Sequence, residues 1–177
     1  MSAIKSYKWA LSLLLAGLTA PCVADTVNFD GTLIEDACEI FPGDETVELD
    51  FGTVIDKYLY LNTRTHSQPF AIRLINCDLA LGREVKVTFS GMASAALPGY
   101  LAFDSGSTAK GAAIGLENSA GELLAINTGK YTQELRAGSN NALNLKAFVQ
   151  GEPQALQTRT LGRGAFTATA TFTLEYE

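Results

Sequence analysis

From Phe166 to Tyr176 apolar and polar residues alternate without a break. Phe166, Ala168, Ala170, Phe172, Leu174 and Tyr176 hold the even positions, and Thr167, Thr169, Thr171, Thr173 and Glu175 the odd ones. A period of two places successive side chains on opposite faces of a strand, so this segment reads as one long strand with a single buried face. Shorter alternating runs precede it. Thr26 to Ile34 puts Val27, Phe29, Gly31 and Leu33 on one face, and Val47, Leu49 and Phe51 form another run. Phe70, Ile72 and Leu74 follow, then Val85, Val87 and Phe89, and later Leu143, Leu145, Ala147 and Val149. Tyr100 to Phe103, Ala113 to Leu116 and Leu123 to Ile126 read as further short strands. Turn chemistry separates the runs, at Pro42-Gly43-Asp44-Glu45, Leu97-Pro98-Gly99, Ser105-Gly106-Ser107 and Gly151-Glu152-Pro153. No stretch sustains a 3.6-residue apolar period with caps at both ends, although Asn118 to Ile126 has room for a short helical turn. The pattern predicts an all-β sandwich.

The beginning of the chain departs from this pattern. Lys5 and Lys8 precede an apolar run from Trp9 to Leu18, and Cys22-Val23-Ala24 supplies small residues ahead of Asp25. That is the layout of a secretory signal peptide, residues 1–24, with cleavage expected after Ala24. Cys22 admits a rival reading, an acylated lipoprotein end, which the adjacent Pro21 opposes. The apolar run is about half the ~20 residues a membrane-spanning helix needs, so an exported, soluble mature chain is expected.

Export changes the charge and the cysteine chemistry. Cleavage removes two of the 13 basic residues and none of the 19 acidic ones, taking the net charge from −6 to −8. That acidity argues against a nucleic-acid partner and is read as a solvated surface. Two of the three cysteines, Cys38 and Cys77, remain for an oxidising compartment, and a disulfide between them is expected. Closing a loop of about 40 residues stabilises a fold by roughly 4 kcal/mol on the chain-entropy model.

Reactive groups are sparse. His66 is the single histidine, in the polar stretch Asn62 to Ser67, and no serine stands in a nucleophile-elbow sequence, so no catalytic residue is expected. One histidine cannot build a zinc or copper site. Asp44, Glu45, Glu48 and Asp50 cluster near a turn without the spacing of a calcium loop, and Gly162-Arg163-Gly164 lacks the length and lysine of a phosphate loop. Neither metal nor cofactor is expected.

Several features stand together in a familiar order. The segment Val27-Asn28-Phe29-Asp30-Gly31-Thr32-Leu33 follows the signal peptide, and Cys38 follows it closely. Cys77 closes the run Phe70-Ala71-Ile72-Arg73-Leu74-Ile75-Asn76. Ala96 to Leu101 and Pro153 to Leu156 come next, and the chain ends with Gly164 fourteenth from the end and Tyr176 in the penultimate place. In these features the sequence resembles the pilin subunits of chaperone-usher fimbriae, and more narrowly the small tip-fibrillum and adaptor subunits of P-pilus-like systems, over everything after residue 24.

The resemblance implies an incomplete immunoglobulin-like sandwich of six strands, its seventh supplied in trans. Residues 25–36 would be an N-terminal donor-strand extension and 37–177 the pilin domain. Val27, Phe29, Gly31 and Leu33 would enter a neighbour's groove, Gly31 allowing close backbone approach. Gly164, Phe166, Ala168, Ala170, Phe172, Leu174 and Tyr176 would form this subunit's own groove strand, with the terminal carboxylate on Glu177 held by a periplasmic chaperone. At an outer-membrane usher, a neighbouring subunit's extension would replace the chaperone strand by β-strand addition. The implied role is a structural minor pilin, an adaptor or tip-fibrillum subunit, exported through the periplasm to the surface fimbrium. A pilus terminator and a small adhesin or carbohydrate-binding sandwich are the alternatives. Periodicity alone leaves open a complete sandwich in which Thr26–Ile34 and Phe166–Tyr176 are ordinary first and last strands.

Overall fold

The computed structural model of the chain describes residues 35–138 and 140–177. The expected signal peptide and the Val27–Leu33 segment lie outside the described residues. Six strands of five or more residues make up most of the regular structure: β2 (Gln68–Ile75), β3 (Glu84–Gly91), β5 (Ala112–Asn118), β6 (Lys130–Glu134), β7 (Asn141–Gly151) and β8 (Ala170–Tyr176). Two-residue strands β1 (Glu39–Ile40) and β4 (Leu101–Ala102) flank them. The strands form two antiparallel sheets, one in the order β1-β2-β7-β5-β4 and the other β6-β3-β8. Ile72 and Leu74 from β2, Leu143, Leu145, Ala147 and Val149 from β7, and Val85 and Val87 from β3 are buried between them. These are the residues that the alternating runs place on one face, because inward and outward side chains alternate along each strand of a sandwich.

Cys38 and Cys77 form the expected disulfide, which fastens the entry of the described chain to the end of β2. Next to it, Asp44 accepts three hydrogen bonds from Arg73, from its amide (2.8 Å), Nε (2.8 Å) and Nη2 (2.6 Å). The Arg73 guanidinium also lies 3.9 Å from the Phe41 ring centroid. The turn at Pro42–Glu45 is thereby pinned to the outer face of β2.

Phe148 lies on the face of β7 opposite the inter-sheet core, and it too is buried. Its ring packs over Gly115 of β5, where any Cβ would fall 2.3 Å from the ring edge, so only glycine fits. The Arg64 guanidinium covers the other side at 3.6 Å from the ring centroid. Arg64 in turn bonds the buried Glu117 carboxylate (3.2 Å), which also accepts from the Ser67 hydroxyl (2.5 Å). Pairing and hydrogen bonding are what make a buried carboxylate tolerable.

The structure corrects several expectations. Val47–Phe51 is no strand: it runs alongside the sandwich with no ladder partner among the described residues. Leu123–Ile126 is also not a strand, and Asn118–Glu122 closes a tight turn in which the Asn118 side chain bonds Glu122 (2.7 Å), not a helical turn. The predicted strand at Tyr100–Phe103 shrinks to Leu101–Ala102. Strand β6 has a sequence, Lys-Tyr-Thr-Gln-Glu, with one apolar side chain, too little for a period to register. Two short helices, α1 (Asp56–Asn62) and α2 (Pro153–Thr158, with proline in its first turn), are likewise too short to show a 3.6-residue repeat.

Candidate strand-docking groove

The alternation of the last segment is real, but its inward face is only half covered. Phe166, Ala168, Ala170, Phe172, Leu174 and Tyr176 are all half-buried, and the odd positions from Thr167 to Glu177 are all exposed. The strand itself begins at Ala170, because Phe166–Thr169 has no long strand beside it. Strand β3 pairs along one side of β8, from Val85 opposite Tyr176 to Gly91 opposite Ala170. No described strand pairs along the other side.

Hydrogen bonding shows which residues face that open side. Glu84 and Glu177 exchange both backbone bonds (2.9 and 3.0 Å), which places the odd-numbered residues of this segment in the bonded pairs with β3. Upstream, the 104–109 loop takes over from β3 on the same side. The amides of Asp104 and Thr108 donate to the carbonyls of Thr167 (2.8 Å) and Ala165 (2.9 Å). The Thr167 amide donates to Ser107 Oγ (3.0 Å) and the Thr169 amide to Asp104 Oδ1 (3.3 Å). The even-numbered residues therefore aim their backbone N–H and C=O groups at the open edge and their apolar side chains into the sandwich. An apolar edge of that length, with no partner among the described strands, is a template for another strand.

Across the open edge lies the Thr46–Phe51 segment, and between the two runs a groove of about 850 Å³. That is far beyond a packing defect. Its floor is core: Ile72, Phe89, Leu101, Ile114 and Leu116 are buried yet line it. One end is closed by aromatic rings, with Phe166 stacked on Phe103 at 4.5 Å and tilted against Phe51 at 6.3 Å. Behind that end, a smaller cavity of about 220 Å³ runs between Val54, Leu59 and Leu161. Gly164 sits there with φ of +150°, and a Cβ at that position would fall 2.1 Å from Thr108 Oγ1, so glycine is required by the backbone and by the space.

At the other end, Tyr176 donates its hydroxyl to the Cys38 carbonyl (3.3 Å), and burial holds its pKa above the usual tyrosine value. A main-chain oxygen of Glu177 accepts from the amides of Arg83 (2.6 Å) and Glu84 (2.9 Å). The Glu177 side chain bonds Lys86, and this contact lowers the carboxyl pKa and raises that of the lysine.

The residues singled out for the groove strand, Gly164 to Glu177, are thus brought onto one edge. The opposite wall and the floor are not legible in the same way: Leu49 and Phe51 carry a period-two signal, but it points to a paired strand, not to a groove wall. The other candidates do not converge. His66 Nε2 bonds the Tyr58 hydroxyl (2.8 Å), Asp44 faces Arg73 and not its acidic neighbours, and Arg163 is held by Asp56 (2.6 Å).

Fold and groove together define the class: an immunoglobulin-like sandwich in which, among the described residues, one strand position is open, the architecture of a pilin. Residues 27–177 match the model of the family described as fimbrial protein, and the chain belongs to that family as a chaperone-usher fimbrial subunit. It is 32% identical to the fimbrial adapter PapK of Escherichia coli over 169 residues, 93% of this chain and 95% of that protein. It is 34% identical to the major MR/P fimbria protein of Proteus mirabilis (strain HI4320) over 153 residues, 86% of this chain and 83% of that protein. Its fold is similar to the crystal structure of the P pilus rod subunit PapA, with a TM-score of 0.68 at 23% identity over 80% of this chain and 100% of that one. Members of this family are structural subunits, and the chain is not an enzyme.

Proposed function

We propose that this subunit polymerises by donor-strand exchange, as a minor pilin in an adaptor or tip-fibrillum position. The observation that carries the proposal is the edge from Phe166 to Tyr176, which no described strand pairs along one side and whose half-buried apolar row lines the groove facing Thr46–Phe51. A periplasmic chaperone covers this edge first, with Glu177 in its grip, and at the outer-membrane usher the extension of a neighbouring subunit takes its place. The subunit's own residues 25–36, with Val27, Phe29, Gly31 and Leu33 facing inward, serve the next groove in the same way. Residues 1–24 direct export, residues 37–177 form the pilin domain, and the fibre is displayed on the cell surface. A minor position is favoured by the likeness to the adapter, which extends over more of both chains than the likeness to the major fimbria protein.

Periplasmic co-expression with a cognate pilus chaperone tests this. The expected result is a soluble one-to-one complex, lost when Glu175–Glu177 is deleted. Gly31→Leu should leave that complex intact and prevent incorporation into fibres. A stable monomer indifferent to the chaperone would refute strand exchange.

A further inference from the structure

Strand β6 is the opposite edge of the sheet that carries β8, and its free side has a charge pattern of its own. Among the described residues no strand pairs along that side. The Leu135 amide donates to the Arg83 carbonyl (2.8 Å), and Glu134 stands opposite Glu84, so the odd-numbered residues of β6 spend their backbone groups on β3. Lys130, Thr132 and Glu134 aim theirs at the open side. A cleft of about 570 Å³ lies beside Thr132–Glu134, against the first residues of β7, and leaves room there for another chain. The side chains of Lys130, Thr132 and Glu134 are exposed, and neither Lys130 nor Glu134 has an ion-pair partner among the described residues.

We infer that β6 is a pairing edge for a second copy of this chain, joined antiparallel about a two-fold axis at Thr132. In that register Lys130 of each copy stands opposite Glu134 of the other, Tyr131 opposite Gln133, and Thr132 opposite Thr132. Opposite charges and paired threonines across strands are both favourable. The bonded pairs fall on even-numbered residues, which are the ones whose backbone groups face the open side. A slip of one residue puts those groups out of step, and a slip of two loses both ion pairs and in one direction sets Lys130 against Arg136. Charges on an edge strand ordinarily discourage pairing. Here a cation at one end and an anion at the other make the strand complementary to itself, as an isologous contact requires. Strand β8 lies at the far edge of the same sheet, so the contact leaves the groove free. Under the strand-exchange reading it ties two fibres side by side.

Sedimentation velocity of the oxidised mature subunit, released from its chaperone, over a concentration series up to roughly 1 mM tests this. The unaltered chain should dimerise. Lys130→Glu and Glu134→Lys each set like charges opposite one another twice, and each variant alone should dimerise about tenfold or more weakly. An equimolar mixture of the two variants, and the chain carrying both substitutions, should recover the unaltered affinity. Thr132→Pro removes an amide that β3 does not use, so it should abolish dimerisation with an unchanged near-ultraviolet circular dichroism spectrum. Association through the groove is common to all these proteins, so the differences among them read β6 alone, whatever the fate of the strand-exchange reading. Equal association of all the variants, or none by the unaltered chain, would overturn the inference. A mixture that associates no better than its components would overturn it as well.

Discussion

Phe166 is the residue through which the two walls of the groove touch, and its removal yields a quantitative test. The ring is half-buried, stacked on Phe103 at 4.5 Å, and it meets Phe51 of the opposite wall at 6.3 Å. Full burial of a phenylalanine is worth up to about 3 kcal/mol, so half burial contributes about 1.5 kcal/mol. A stacked aromatic pair adds about 0.5–1.5 kcal/mol. Phe166→Ala should therefore destabilise the domain by about 2–3 kcal/mol, which at this size lowers Tm by roughly 5–10 °C. Phe166→Leu keeps most of the apolar area and loses the stacking, so it should cost about 1 kcal/mol. Thermal melts of the oxidised subunit with its groove empty, released from its chaperone and followed by near-ultraviolet circular dichroism, read both. The reasoning is refuted if Phe166→Ala melts with the unaltered protein, or if the leucine variant loses as much as the alanine variant.

Two further predictions concern the opposite end of the domain. The hydrogen bonds from Arg73 lower the Asp44 carboxyl to a pKa of about 2, below its ordinary 3.8. A carboxyl lowered by folding contributes stability that is fully present above its unfolded pKa and lost as pH falls through the folded one. Asp44→Asn should thus flatten the stability profile between about pH 4 and pH 2, measured by denaturant titration at each pH. Replacing Cys38 and Cys77 by alanine frees a loop of 39 residues and should cost about 4 kcal/mol, read as a fall in the denaturation midpoint; an unchanged midpoint would mean the loop is already constrained in the unfolded chain.

The alternation from Phe166 to Tyr176, the inward sets on β2, β3 and β7, and the Cys38–Cys77 bridge follow from the sequence, because each depends on local period or on the number of available partners. Strand β6 and the short helices do not, since a segment with one apolar residue, or barely two turns long, carries no period and is held by its neighbours. Phe148 is another case: its position in the strand period puts it on the outward face, and only the fold brings Arg64, Gly115 and Glu117 around it.

The same division runs through the groove. Sequence by itself determines that Phe166, Ala168, Ala170, Phe172, Leu174 and Tyr176 share one face, because a strand of L-residues allows no other arrangement. Whether that face is covered is a question of what lies beside it, and period two is identical for a central strand and an edge strand. Only the tertiary structure decides it, by spending the odd-numbered backbone groups on β3 and the 104–109 loop and, among the described residues, leaving the even-numbered ones facing Thr46–Phe51 across an open strand position.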